Sequence, residues 1–145
     1  MTKRLDLTKA DHIKTGVNSL IYPRGNRIIK VRRGLAYFMA RNAVEEEYKV
    51  HQDLYDLGIN VPEPHGIIKL RINGLPNYGL EMDLIKGINL SKLNLSFLYK
   101  RMEHEVQKAE DLGFNLIDRF AYNAMVNRFG KVFLIDFEGC KSPKN

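Results

Sequence analysis

Two short apolar runs near the C-terminal end constrain the fold of this chain more than any other feature. The runs Ala124–Asn127 and Val132–Ile135 are separated by four residues that include a glycine, Arg128–Lys131. This pattern is typical of a tight β-hairpin. A register centred on the turn places Asn123 opposite Asp136, and directly opposed side chains have Cβ atoms about 4.5–5.5 Å apart. A carboxamide and a carboxylate therefore meet at the open end of the predicted hairpin.

A second carboxylate belongs to the same neighbourhood. Asp118 precedes Asn123 by five residues, so the connecting segment is too short to carry it far away. Two carboxylates and an amide oxygen form a hard, all-oxygen donor set that has neither histidine nor cysteine beside it. Such donors suit Mg²⁺ or Mn²⁺ better than zinc. The alternative interpretation is a hairpin whose polar ends only cap its turns.

Length and composition limit the class of protein. The 145 residues suffice for one domain, or for two small lobes, with a substantial core. The single cysteine, Cys140, excludes an intramolecular disulfide and indicates a reducing compartment. The N-terminus lacks the apolar segment of a secretion signal, and no run approaches the roughly 18 apolar residues of a membrane span. We therefore expect a cytoplasmic protein without a membrane partner.

The positive charge lies in one part of the sequence. Residues 1–49 contain 11 Lys or Arg against 5 Asp or Glu, whereas residues 50–145 contain 12 of each. A basic surface attracts polyphosphates or nucleic acid. A solvated surface without a ligand explains the charge equally well, because no nucleic-acid-binding motif accompanies it.

The first third predicts a three-stranded meander that carries one unusual lysine. Strands are expected to about Thr15, over Ser19–Tyr22 and over Arg27–Val31, with turns between them. Lys30 places one ammonium group in the apolar run of the last strand. A lysine in a strand usually lies on the face that is exposed to solvent. A functional role for Lys30 therefore needs support from a second feature of the sequence.

The following helix supplies that observation. Its periodicity predicts a helix from about Arg41 to Leu57 that ends at Gly58. Glu47 lies on the apolar face of this helix, where a carboxylate needs a partner, and Lys30 is the candidate. The alternative is that Glu47 only favours the N-terminal half of the helix through its dipole.

The remaining elements are predicted from the same patterns. Strands are expected over Gly66–Leu70 and Tyr78–Ile85, and a second helix over Ser96–Leu112, with Ser96 as its N-cap and Gly113 as its stop. His51, on the apolar side of the first helix, is expected to pack rather than to act as a base.

The combination resembles the protein-kinase-like superfamily. Asp118-x4-Asn123 followed by Ile-Asp136-Phe is similar to the catalytic loop and the metal-binding motif of these proteins. The order of motifs is closest to that of minimal atypical (RIO/Bud32-like) kinases. The resemblance implies that Asp118 orients or deprotonates the acceptor and that Asn123 and Asp136 hold the metal. It also implies that Lys30 contacts the phosphates of ATP and pairs with Glu47.

A nucleotide site follows from the same resemblance. The turn before the second strand resembles a shortened glycine-rich loop, which would cover the phosphates with backbone N–H groups. The alternative is an ordinary hairpin turn. The strand that ends near residue 85 resembles the hinge whose backbone binds adenine. The implied cofactors are ATP and Mg²⁺ (or Mn²⁺). The implied cofactor-binding residues are Gly16, Asn18, Ser19, Lys30, Met82, Asp83 and Ile85.

The family pattern is altered at three places. Leu116 stands where the family usually has histidine, Phe120 stands where it often has lysine, and Asp-Phe-Gly is replaced by Asp136-Phe-Glu-Gly. Atypical kinases tolerate such changes.

The predicted fold is therefore an α+β, minimal two-lobed protein-kinase-like fold with a truncated C-lobe. We expect an N-lobe over about residues 1–82, a hinge over about 83–87 and a reduced C-lobe over about 88–145. The predicted function is Mg-ATP-dependent phosphotransfer to an unidentified protein or small molecule. Two alternatives stay open: a nucleotide-binding pseudokinase that serves as an interaction module, and a basic nucleic-acid-binding protein.

Overall fold

The computed structural model describes residues 5–7, 14–15, 19–32, 37–117 and 121–144. The described helices are α1 (Tyr37–Asp56) and α2 (Ser96–Asp111). The described strands are β1 (Leu5–Leu7), β2 (Lys14–Thr15), β3 (Ser19–Arg24), β4 (Arg27–Arg32), β5 (Pro64–Ile72), β6 (Leu75–Asp83), β7 (Gly87–Asn89), β8 (Ala124–Asn127) and β9 (Val132–Leu134). Among the described residues, two single turns of 3-10 helix, Leu90–Lys92 and Ala121–Asn123, precede α2 and β8. The α+β class predicted from the sequence is confirmed.

The described residues form two compact units. The first comprises the described residues up to Tyr48 together with Pro64–Leu84, and the second comprises Lys49–Glu63 together with the described residues from Ile85 onward. Helix α1 contributes residues to both. Residues 49–63 belong to the second unit, and the lobe boundaries given by the sequence stay a prediction.

The first unit contains a six-stranded sheet among its described residues, in the order β1-β5-β6-β4-β3-β2. Strand β1 pairs in parallel with β5, and the other neighbours are antiparallel. The β2–β3–β4 meander was predicted correctly. Alternate residues such as Tyr22, Ile29 and Leu70 are buried on the sheet, because successive strand residues point to opposite faces. Val44 of α1 packs with Leu80 and other residues of β6.

The second unit is built around a three-stranded sheet in the order β7-β8-β9. Its core joins this sheet to α2, the end of α1 and the loop after α1, and the predicted apolar face of α2 supplies Leu98, Met102 and Ala109. Strand β7 was not predicted, because three residues are too few to show an alternating pattern. Gly87 begins β7, and a Cβ atom there would lie 2.0 Å from the carbonyl oxygen of Val126.

The helix ends test the predicted stops and caps. Gly58 has φ +83, and the Ile59 N–H donates to the carbonyl of Leu54 at 3.1 Å, so glycine ends α1 as predicted. Helix α1 begins at Tyr37, before the predicted start at Arg41. The prediction of Ser96 as N-cap was wrong: Leu95 holds that position and provides no side-chain cap.

None of the helices in the described part of the chain combines the length and the apolar character needed to cross a bilayer.

A carboxylate on α1 fixes the last described residues of the chain. The Asp53 carboxylate accepts a hydrogen bond from Ser142 Oγ at 2.8 Å and pairs with Lys49 Nζ at 2.7 Å. Burial by itself raises the pKa of Asp53, but the hydrogen bonds from Lys49 and Ser142 and the charge of Lys49 together hold this pKa below its ordinary value of 3.8.

This lowered pKa predicts a dependence of stability on pH. Because the folded pKa lies below the unfolded one, the contribution of Asp53 is present above pH ~4 and is lost as the pH falls through the folded pKa. We expect Asp53→Asn to be less stable than the wild type at neutral pH, by less than ~1 kcal/mol. Urea denaturation from neutral pH downward should show this difference shrinking below pH ~4. A difference that is constant with pH would mean that the charge of Asp53 contributes nothing.

Candidate functional site

The first unit contains a buried ion pair between a strand and a helix. Lys30 Nζ of β4 lies 2.8 Å from Glu47 Oε2 of α1, and the two side chains are only 7% and 5% exposed. Lys30 is paired in register with Ile21 on one side and with Leu80 on the other. The ion pair predicted from the sequence is therefore present. It places an ammonium group in a fixed position on the sheet, since the carboxylate holds it.

A second buried carboxylate of the first unit was not predicted. Glu81 of β6 is paired with Arg24 Nη1 at 3.1 Å and with Arg27 Nη1 at 3.3 Å. Both arginines are about half exposed, so this cluster reaches the surface. The sequence signal was an acid inside the apolar run of β6, which is the same kind of signal that identified Glu47.

The predicted phosphate-covering turn is only partly described. Ser19 begins β3, is buried and pairs in register with Arg32. Gly16 and Asn18 lie outside the described residues, so their role in phosphate binding stays a prediction.

The predicted hinge residues occupy the end of β6 and the residues after it. The Met82 side chain is buried with Val44 and other apolar residues of the first unit. Asp83 Oδ1 lies 2.6 Å from His65 Nε2, and the Leu84 N–H donates to the carbonyl of Asn26 at 3.0 Å. These contacts fix the backbone at the end of β6. Ile85 belongs to the second unit, and adenine binding by this segment stays a prediction.

The hairpin of the second unit has a different register from the one predicted. Ala124 pairs with Leu134, and the Ile135 N–H donates to the carbonyl of Asn123 at 2.9 Å. Asn123 is therefore opposite Ile135, and Asp136 follows one residue later. The predicted pairing of Asn123 with Asp136 was wrong by one residue.

The cause of the shift is the length of the loop. Asn127 and Lys131 close a three-residue loop, in which the Asn127 N–H donates to the Lys131 carbonyl at 3.0 Å. The Asn127 side chain accepts from the N–H groups of Phe129 and Lys131, and Gly130 adopts φ +77. A type I turn followed by a left-handed glycine is a common three-residue hairpin loop. The prediction had assumed four residues.

Asp136 has an unusual backbone conformation. Its φ angle is +65. Among the other described non-glycine residues, only Asn73, in the β5–β6 turn, also has a positive φ angle. Aspartate and asparagine tolerate this region better than other residues, but such a conformation still costs on the order of 1–3 kcal/mol and is concentrated at functional sites. The Asp136 side chain is exposed, and its Oδ1 lies 3.4 Å from the Glu138 backbone nitrogen. An exposed carboxylate on a strained backbone is a candidate ligand position.

Asn123 complements Asp136 on the same hairpin. The Asn123 side chain is buried at the end of the 3-10 turn that leads into β8. An amide oxygen and a carboxylate are hard donors of the kind that Mg²⁺ or Mn²⁺ prefers, and metal binding by Asn123 and Asp136 stays a prediction. Asp118, the third member predicted for this set, lies outside the described residues.

Phe137, the residue after Asp136, is anchored by a histidine. The rings of Phe137 and His51 are both buried and meet edge to face, with centroids 5.1 Å apart. His51 Nε2 lies 2.6 Å from the carbonyl oxygen of Pro62, so this nitrogen carries the proton that is donated. His51 is a packed residue, as expected, but its contact with Phe137 was not foreseen. Leu116, at the position where the resemblance implies histidine, is buried in the same core.

The comparisons with known proteins agree with a kinase-like chain. No protein-family profile matches the sequence. A 3-deoxy-D-manno-octulosonic acid kinase from Vibrio cholerae serotype O1 is 29% identical over 105 residues, which cover 66% of this chain and 43% of the relative. The chain therefore spans less than half the length of this curated relative.

Two solved structures share the fold. A 2.2 Å crystal structure of WbdD matches with a TM-score of 0.66 and 15% identity, covering 90% of this chain and 33% of that chain. A co-crystal structure of WbdD with the kinase inhibitor LY294002 matches with a TM-score of 0.60 and 17% identity, covering 89% of this chain and 32% of that chain. The chain thus has a small, truncated protein-kinase-like fold, and together with the kinase relative this supports the protein-kinase-like superfamily. The closer likeness to RIO/Bud32-like kinases stays a prediction.

Proposed function

We propose that this chain, with its protein-kinase-like fold, is an Mg-ATP-dependent phosphotransferase whose acceptor is a hydroxyl group of a small molecule. The observation that carries the proposal is the buried ion pair between Lys30 and Glu47. Burying two charges costs several kcal/mol per ion, and well-packed apolar residues at such positions are often as stable or more stable. A buried pair therefore calls for a reason other than stability, and a fixed ammonium for the phosphates of ATP is such a reason.

The hairpin of the second unit carries the proposed metal ligands. Asn123 and Asp136 would hold Mg²⁺ or Mn²⁺, and the metal, when bound, would neutralise negative charge on the phosphates. The strained backbone of Asp136 supports this role, because strain of this kind persists where the position of a side chain matters. Packing of Phe137 against His51 holds the residue that follows.

The acceptor is proposed from chemistry and from the relative. The acceptor hydroxyl oxygen would form a bond to the γ-phosphorus of ATP as the bond from that phosphorus to the oxygen of the leaving ADP breaks. Asp118 would orient the hydroxyl and receive its proton. The relative is named for a kinase of 3-deoxy-D-manno-octulosonic acid, an acidic sugar. A sugar hydroxyl is therefore the first acceptor to test.

A pseudokinase is the second candidate function. It is favoured by Leu116, an apolar core residue where the family usually has the histidine that supports the catalytic loop. Such a protein would bind nucleotide and serve as an interaction module without transferring phosphate. The third hypothesis, nucleic-acid binding, rests only on the basic charge of residues 1–49.

Metal-dependent nucleotide binding gives the first test. Thermal denaturation of the wild type with Mg-ATP at ~100 times Kd should show a stabilisation of about 2.7 kcal/mol. Asp136→Asn should lose most of this stabilisation because an amide is a weaker ligand than a carboxylate. The fold should persist, since asparagine also tolerates a positive φ.

The matched control is Asp111→Asn, which makes the same change at an exposed residue at the end of α2. It should keep the full response to Mg-ATP. An equal response in Asp136→Asn and the wild type would refute the metal assignment, and no response in the wild type would favour the nucleic-acid hypothesis.

Transfer is tested separately. The protein is incubated with γ-labelled ATP and Mg²⁺, with and without 3-deoxy-D-manno-octulosonic acid. Label on the sugar supports the proposed acceptor class. Label released only as inorganic phosphate identifies water as the acceptor. Binding without either product supports the pseudokinase.

A further inference from the structure

The second unit contains a basic cavity at the turn end of the β8–β9 hairpin. Its volume is about 420 Å³, within the range of small-molecule pockets. The cavity is lined by Asn60, Lys100, Arg101, His104, Glu105, Gly130, Lys131 and Val132. Asn123 lies at the other end of β8 from this turn. The four residues of β8, at ~3.3 Å each, separate the two ends of the strand by about 13 Å. The cavity is therefore separate from the proposed metal ligands.

The charges that line this cavity are unbalanced. Three basic side chains, those of Lys100, Arg101 and Lys131, line the cavity, and one acidic side chain, that of Glu105, lies among them. Within the described residues, no carboxylate is paired with Lys100 or Lys131. A concave surface lined mainly by one sign of charge concentrates counter-ions.

The Glu105 carboxylate is already neutralised by other groups. The Asn60 N–H donates to Glu105 Oε1 at 2.7 Å, and Lys108 Nζ lies 2.8 Å from Oε2. Both oxygens are therefore engaged, and the side chain is buried. Glu105 therefore holds the backbone of Asn60 at the edge of the cavity. Its negative charge does not balance the positive charge of Lys100, Arg101 and Lys131.

Two of the cations are held in place by intramolecular contacts. Arg101 Nη1 donates to the carbonyl of Gly130 at 2.6 Å, and its guanidinium lies 5.3 Å from the centroid of the Phe97 ring. Lys131 Nζ lies 5.0 Å from the centroid of the Phe133 ring. Such contacts reduce the rotamer freedom that a ligand would otherwise have to restrict. A guanidinium has five donors, so the bond to Gly130 leaves others for a ligand.

The contact between Arg101 and the hairpin loop requires a glycine at position 130. A Cβ atom at residue 130 would lie 3.0 Å from Arg101 Nη1, and φ is +77. The side chain of Asn127 closes the same loop through the N–H groups of Phe129 and Lys131. These contacts stabilise a loop conformation in which the Gly130 carbonyl accepts a hydrogen bond from Arg101 of α2.

The geometry points to a second ligand site in this chain, a cavity that binds a small polyanion through Lys100, Arg101 and Lys131. The class of ligand is a di- or polyphosphate, or a phosphorylated metabolite no larger than a nucleotide. Three cations around one cavity, two of them held in place, match a ligand with more than one negative charge.

The test is a ¹H–¹⁵N NMR titration of the full chain with inorganic pyrophosphate in the absence of divalent cations. The amides of His104, Gly130 and Lys131 should shift together and saturate, with a Kd between about 0.1 and 10 mM. Lys131→Glu should weaken this binding at least about fivefold, since it reverses one of three contacting charges. Arg101→Gln should weaken it as well, and it keeps a donor for the Gly130 carbonyl.

The matched control is Lys92→Glu, which reverses an exposed lysine of the same unit outside the cavity. It should leave the pyrophosphate affinity within about twofold of the wild type. Shifts that fail to saturate, or an equal loss in Lys92→Glu and Lys131→Glu, would overturn the proposal and leave only nonspecific attraction. The amides that are followed lie at the cavity, so their shifts report pyrophosphate binding there. The result does not depend on whether the chain binds nucleotide at the proposed ATP site.

Discussion

Replacement of Asp118 by alanine is expected to lower the turnover of phosphoryl transfer about 10²–10⁴-fold, the usual effect of removing a positioned acid–base group. The affinity for Mg-ATP should stay nearly constant, because Asp118 would face the acceptor rather than the metal. The expectation rests on the spacing of Asp118 and Asn123 in the sequence, since Asp118 lies outside the described residues.

Two measurements on each variant separate the roles. Turnover comes from labelled-phosphate transfer at saturating ATP, and affinity comes from the shift in thermal stability with Mg-ATP. Asp111→Ala, the same change on α2, should leave both unchanged. If Asp118→Ala lost binding and turnover equally, Asp118 would be a metal ligand. If the wild type bound Mg-ATP but neither transferred nor released phosphate, even with candidate acceptors present, the pseudokinase would replace the enzyme as our conclusion.

The Lys30–Glu47 pair shows what the sequence could predict. Lys30 was the one charged residue in an apolar strand, and Glu47 was the one charged residue on the apolar face of a helix. Each face was recognised from the periodicity of its apolar residues. A buried charge needs a partner, and few partners were available. The inference needed no knowledge of long-range geometry, so it succeeded, and the structure has the two groups 2.8 Å apart.

The hairpin shows where the same reasoning fails. Its existence follows from two apolar runs, but its register depends on whether the loop has three or four residues. The sequence Asn127-Arg-Phe-Gly130 contained the signal for three, namely an asparagine that caps the turn and a glycine in the left-handed position. A shift of one residue changes which side chains are opposite each other, so Ile135 rather than Asp136 is opposite Asn123.

Other features left no local signal at all. Strand β7 is three residues long and is recognised only through its pairing with β8. The contact of His51 with Phe137 joins residues 86 positions apart, and no periodicity in either segment specifies it. The cavity beside Gly130 likewise arises from three segments that meet only in the folded unit.

The largest effect on stability is expected at Glu47. Glu47→Ala would leave the Lys30 ammonium buried without this carboxylate, and removal of one partner of a buried pair typically costs about 3–5 kcal/mol. Glu45→Ala is the matched control, because Glu45 lies two residues earlier on α1 and pairs with Arg41 at the surface. An exposed pair of this kind is worth at most ~1 kcal/mol. Urea denaturation of both variants measures the difference.

The double variant Lys30→Met/Glu47→Leu separates stability from function. Because it removes both charges and fills the space with apolar side chains, it should regain most of the stability lost in Glu47→Ala. It should still fail to bind Mg-ATP with wild-type affinity, since the ammonium proposed for the phosphates is gone. Recovery of both stability and nucleotide affinity would show that the pair has no role in binding. Equal stability of Glu47→Ala and Glu45→Ala would show that the pair does not hold β4 against α1.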